Sequence, residues 1–110
     1  MGRFVKGDVV VAPFPFSDLT ESKRRPALLL AELAGDDVIL CQITSRHAKD
    51  SYAVLIDQAD FEDGSLKQPS HVRPNRLFTA DRHFILYSAG HLRSQVVGAV
   101  VERIIEILRA

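Results

Sequence analysis

The sequence holds a single cysteine, Cys41, so no internal disulfide can form. Cys41 lies in the apolar run Val38-Ile39-Leu40-Cys41, where a free thiol packs as a small hydrophobe. Net charge is missing too, since 14 basic residues balance 14 acidic ones. That balance excludes a histone-like protein that holds nucleic acid by bulk charge, yet it leaves room for a local basic cleft. No apolar run approaches the roughly 18 residues of a membrane span. The opening segment has no apolar core of a signal peptide and reaches Asp8 early, so a cytoplasmic chain without membrane contact is expected. G-x-G-x-x-G and Walker phosphate loops are absent, and so is the G-x-S-x-G elbow. His47, His71, His83 and His91 form no H-E-x-x-H pair and no cysteine–histidine zinc spacing. Neither a metal nor a cofactor is expected.

What is present is the composition of one folded domain, expected to span residues 1–110. Its 46% hydrophobic and 25% charged residues supply enough apolar surface to offset the entropy of ordering the chain. Val9-Val10-Val11-Ala12, after Gly7-Asp8, predicts a first strand. Pro13 and Pro15 are expected to end its pairing, because proline brings no ladder donor. Residues 17–25 are polar and predict an exposed loop. Pro26 then holds Arg25 extended, and Ala27-Leu28-Leu29-Leu30-Ala31 predicts a buried strand. Gly35-Asp36-Asp37 leads from that strand into Val38 to Ile43 with the spacing of a hairpin. Tyr52 to Ile56 and Ser70 to Thr79 predict further strands, with Pro74 marking an edge, a bulge or a break. Over residues 91–108 the period changes. Leu92, Val96, Val100, Ile104, Ile107 and Leu108 recur at three- and four-residue steps, which predicts an amphipathic C-terminal helix with His91 near its start.

Three polar segments at strand ends hold the side chains suited to chemistry. The first contains Lys23, Arg24 and Arg25; the second contains Thr44, Ser45, Arg46 and His47; the third contains His71, Arg73 and Arg76. Between Ser65 and Arg82 four basic side chains accompany one acid, while Asp57 to Asp63 has the opposite bias. If the segments converge, they line a basic groove suited to a polyanion backbone. Phe14, Phe16 and Phe78 are candidates for stacking on unpaired bases, with core packing as the alternative. Arg73 and Arg76 equally suit solvated edge charges that discourage strand pairing.

Taken in order, Gly7-Asp8-Val9-Val10, then Phe14 and Phe16, then Arg25-Pro26-Ala27-Leu28-Leu29 resemble the opening of the PemK/MazF family of toxin–antitoxin toxins. Ile43-Thr44-Ser45-Arg46 resembles that family's second motif. Ser70-His71-Val72 through Leu77 to Asp81, followed by Gly90 and Leu92, resembles its third block. The resemblance implies a mainly β (α+β) fold, a compact SH3-like β-barrel of the PemK/MazF/CcdB type with a C-terminal helix, usually a homodimer. It implies metal-independent cleavage of single-stranded RNA (mRNA) at short sequences, blocked by a cognate antitoxin. The family's catalytic arginine falls on Arg25 and its catalytic threonine on Thr44. In the chemistry so implied, the ribose 2′-OH attacks the adjacent phosphorus and leaves a 2′,3′-cyclic phosphate. Arg25 suits the phosphate clamp, because guanidinium stays protonated and matches phosphate oxygens in bidentate fashion. Ser45, His47 and His71 are candidates for proton transfer or phosphate contact, the two histidines because they titrate near neutrality. Phe16, Lys23, Arg24, Arg46, Arg73 and Arg76 are the candidates for RNA binding. Two other functions stay open: a non-catalytic inhibitor of the gyrase-poison type on the same fold, and an SH3-like nucleic-acid-binding module.

Overall fold

Strands β1 (Asp8–Phe14), β2 (Lys23–Glu32) and β3 (Asp37–Thr44) form an antiparallel meander at the centre of the molecule. The computed structural model describes residues 3–14, 23–46 and 51–110. The short β4 (Val54–Ile56) and β5 (Phe61–Gly64) follow, then the long β6 (Ser70–Asp81), β7 (Tyr87–Leu92) and the helix α1 (Ser94–Arg109). In space the order is β4-β6-β3-β2-β1-β7-β5, all neighbours antiparallel. The sheet curls into a half-barrel with one C-terminal helix, the mainly β architecture expected. Among the described residues no helix is long and apolar enough to cross a membrane.

The continuous Val-Val-Val and Leu-Leu-Leu runs have a direct cause. Successive strand residues point to opposite faces, so a sheet buried on both faces needs apolar residues at every position. On one face Val9, Leu28, Cys41, Ile43 and Val72 pack with Val97 and Val100 of α1. On the other, Val10, Ala27, Leu29 and Leu40 gather with Phe14 and Ile85. Leu28, Leu29 and Leu40 have no exposed surface, and burial of each contributes about 1.5–3 kcal/mol.

The prolines behave differently from expectation. β1 runs through Pro13 to Phe14, and β2 begins at Lys23, so Lys23 to Arg25 are strand residues instead of loop. The reason is one-sided pairing. β1 pairs with β7 only as far as Val11, so at Pro13 just one neighbour, β2, remains. Pro26 likewise pairs with Val11 of β1, while the β2–β3 ladder stops at Ala27↔Gln42. In β6 the register jumps from Cys41↔Leu77 to Ile43↔Val72, and the bulged segment contains the buried Pro74. That is the bulge among the alternatives expected there.

The helix starts later than its period suggests. Leu92 ends β7, where its N–H donates to the Gly7 carbonyl at 2.9 Å, so it is unavailable to the helix. His91 is also a strand residue, opposite Asp8, with Nδ1 2.8 Å from Asp8 Oδ1. The second Asp8 oxygen accepts the Val5 N–H. Gly7 has φ +98°, and a Cβ there would sit 2.8 Å from the His91 ring. Gly7-Asp8 thus provides a left-handed turn and a hydrogen-bonded lock between β1 and β7. Arg93 Nε donates to the Ala59 carbonyl, and Arg103 Nη1 to the Ser51 carbonyl, which ties α1 to the segments around β4. The acidic run 57–63 has a local role as well: Asp57 and Asp60 form a reciprocal capping box on the 3₁₀ turn Gln58–Asp60 that leads into β5.

Candidate active-site cleft

The end of the β2–β3 ladder opens the cleft. Pro26 offers no N–H, and Arg25 and Thr44 each lie two residues beyond the last pair, Ala27↔Gln42. Continued, the same register sets Arg25 opposite Thr44 on one face of the two strands. Arg24, Arg25, Pro26, Thr44 and Ser45 all line a cleft of about 550 Å³. Its floor is apolar, with Val11 and Ile43, and its far wall is Ser65 to Gln68, Ser70, Tyr87 and Ala89. That wall is held in place: the Ser65 N–H donates to the Ala89 carbonyl, and Ser70 Oγ donates to the Gln68 carbonyl at 3.1 Å.

The charge of the cleft is one-sided. Arg24, Arg25 and Lys67 line it, and no carboxylate is among its described lining residues, although the whole chain is neutral. Cations gathered in one concave site attract an anion more strongly than the same groups spread over a surface. Arg25 and Thr44 are half-buried, while Arg24 and Ser45 are exposed. Thr44 Oγ1 accepts the backbone N–H of Arg46 at 3.1 Å. Its own proton therefore stays available as a donor.

The other expected site residues are placed as follows. Lys23 and Arg46 are exposed next to cleft residues but do not line it. His71 is the β6 partner of Thr44 and is half-buried, so the two project to the same side, though His71 is not part of the lining. Arg73 and Arg76 sit on the β6 bulge outside the cleft. The Arg73 carbonyl accepts from Cys41 Sγ at 2.8 Å. Phe14 is buried in the core, and its ring meets Phe78 edge to face at a centroid distance of 4.7 Å. Phe14 is therefore no stacking platform, and Phe78 is half-buried. Phe16 and His47 lie outside the described residues, as do residues 17–22 of the loop expected over residues 17–25.

Lys67 and Tyr87 belong to the lining and are not among the residues singled out from the sequence. Lys67 had a signal, because it is one of the four basic residues between Ser65 and Arg82. Tyr87 had none. Among the described residues, the grouping of potential metal ligands is Asp36, Asp81 and His83, and none of them lines the cleft. There the backbone N–H of His83, followed by its ring, holds the Asp81 carboxyl below the usual carboxylate range.

Comparison with known proteins matches residues 5–108 to the family model of the PemK-like, MazF-like toxin of type II toxin–antitoxin systems. The chain belongs to the PemK/MazF toxin family. A sequence comparison with curated proteins finds no match. Among solved structures, the chain is similar to the toxin MazF-mt6 of Mycobacterium tuberculosis, with 21% identity and a TM-score of 0.73 over 93% of this chain and 96% of that one. A mycobacterial endoribonuclease in complex with its cognate antitoxin superposes with a TM-score of 0.76 at 12% identity, over 97% and 96% of the two chains. MazF of Deinococcus radiodurans gives 0.73 at 20% identity over 96% of each. At these identities the likeness establishes the PemK/MazF fold, and the family model establishes a type II toxin.

Proposed function

We propose that this toxin is an endoribonuclease that cleaves single-stranded RNA at short sequences, without a metal, through attack of the ribose 2′-OH on the adjacent phosphorus. The single observation that supports it best is Arg25 and Thr44, from different strands, meeting in a cleft with basic residues and no carboxylate among its described lining residues. The reaction forms a bond from O2′ to phosphorus and breaks the bond to O5′. It yields a 2′,3′-cyclic phosphate and a 5′-hydroxyl, and one proton moves from O2′ to O5′ by way of a base and an acid.

Arg25 is assigned to the phosphate, where extra negative charge develops as the fifth oxygen closes in. The Thr44 hydroxyl, with Oγ1 already accepting from Arg46, donates to a second phosphate oxygen. Ser45 is a further hydroxyl on the same bank. Arg24 and Lys67 hold flanking phosphates. His71 is assigned to proton transfer because it neighbours Thr44 across β3 and β6. A cognate antitoxin that occludes the cleft, homodimer formation and a cytoplasmic site of action belong to the same proposal. The relative solved with its cognate antitoxin supports the first of these.

The test is incubation of the purified protein with single-stranded RNA in excess chelator, followed by mapping of the product ends. Cyclic phosphate ends are expected, with Arg25→Ala slowed by about 10²–10³-fold. Absence of cleavage by the wild type, or equal cleavage by Arg25→Ala, overturns the assignment and favours a gyrase-poison type of inhibitor or a binding module on this fold.

A further inference from the structure

We propose that Tyr87 is the base-stacking surface of the cleft, taking the unpaired nucleobase beside the phosphate held by Arg25; this rests on the ribonuclease function proposed above. Tyr87 opens β7 and pairs with Val11, which in turn pairs with Pro26. Directly paired residues project to the same side, so Pro26, Val11 and Tyr87 make one row across three strands, and all three line the cleft. With strands about 4.8 Å apart, the tyrosine stands roughly 10 Å across from Pro26. Arg24, two residues before Pro26 and so on the same face of β2, lines this cleft together with Arg25. A nucleotide whose phosphate is held by these arginines has its base within reach of the tyrosine.

The ring is also in the right state to be used. Tyr87 is 52% exposed although it belongs to a paired strand, so the backbone is fixed and the aromatic face is open. It is the one aromatic among the described residues of the lining. Of the aromatic residues favoured by sequence, Phe14 and Phe78 pack against each other, and Phe16 lies outside the described residues. A basic groove with an aromatic face at its edge matches how single-stranded nucleic acids are held, with cations on the backbone and rings on the bases. Because every base has a π-face, stacking here strengthens binding for all four bases.

The test uses a single-stranded oligoribonucleotide made uncleavable by 2′-O-methylation and carrying 2-aminopurine, whose fluorescence falls when it stacks. The expected outcome is quenching by the wild type and by Tyr87→Phe. Tyr87→Leu should bind about five- to a hundredfold more weakly and quench little. Cleavage of unmodified RNA, followed in parallel, should show the same order in kcat/KM. If the wild type cleaves RNA but Tyr87→Leu binds and quenches as well as it does, the stacking proposal is wrong while the ribonuclease function stands. If Tyr87→Phe is as poor as Tyr87→Leu, the hydroxyl acts and stacking is rejected. A changed molar mass of Tyr87→Leu by light scattering reassigns the ring to a contact between copies of the chain, and this too overturns the proposal. No binding of any RNA by the wild type removes the ribonuclease function itself.

Discussion

Gln42 takes its carboxamide oxygen into the protein with no hydrogen-bond partner among the described residues, and only 9% of the residue is exposed. A buried acceptor left unmet costs about 1–3 kcal/mol, because it has lost water and gained nothing. Its position explains why. It lies opposite Ala27 on β2, whose side chain carries no donor, and faces the β6 bulge, where the ladder is interrupted. Gln42→Met, close in shape and without the carbonyl, is expected to raise stability by about 1–2 kcal/mol in urea unfolding. Equal stability would mean that the oxygen is hydrated after all. The neighbouring Cys41 makes a second prediction. Burial pushes its thiol up to about 12 from 9.0. The folded state keeps the proton at a pH where the unfolded chain releases it. The resulting contribution to stability is complete below pH 9 and is lost as the pH rises through about 12. Denaturant unfolding between pH 9 and 12 should therefore show a steeper loss for the wild type than for Cys41→Ala. Parallel slopes would refute the buried thiol as the cause.

Among the elements, those written in side-chain pattern were legible and those written in pairing were not. The buried runs of β1, β2 and β3 are visible because a doubly buried strand has to be apolar throughout. β5, with Phe61 its one buried residue, and β7, Tyr-Ser-Ala-Gly-His-Leu, have no regular alternation. They are strands because backbone groups of Gly64 and Gly90 come together at the sheet edge. For the same reason Arg25 and Thr44 could be found by resemblance, whereas Tyr87 emerges only once β7 is laid beside β1. Two glycines test the distinction. Gly64 has φ +69°, and a Cβ there would lie 2.2 Å from the Ala89 carbonyl oxygen, which is backbone and cannot move aside. Gly64→Ala should destabilise by more than about 2 kcal/mol, with amide exchange rising first along β5 and β7. Gly98, inside α1, sits in ordinary helical backbone, and a methyl group added there would meet nothing within 4 Å. Gly98→Ala should stabilise by about 1 kcal/mol, visible as a rise of about 4–8 °C in the melting temperature. A fall instead would place another contact on that face of the helix.

At the scale of the whole molecule, the neutral chain and the basic cleft together constrain how it meets RNA. With 14 charges of each sign, long-range attraction to a polyanion is weak, and surface charges are screened beyond about 8 Å at physiological salt. Productive attraction then belongs to the few cations inside the cleft, Arg24, Arg25 and Lys67. Each phosphate neutralised on a single strand contributes about −0.7 to the slope of log K against log salt. Three contacts predict a slope of about −2, measured by anisotropy titration of an uncleavable 2′-O-methyl oligonucleotide. Arg24→Ala should bring the slope to about −1.4 and weaken binding alike for all base sequences, because a phosphate contact carries no base information. Tyr87→Leu should weaken binding with the slope unchanged. A wild-type slope far steeper than about −2 would mean that cations outside this cleft share the RNA backbone. The binding path would then extend past the Arg25–Thr44 end of the sheet, and Arg46, exposed just beyond Thr44, is the first residue to replace with alanine.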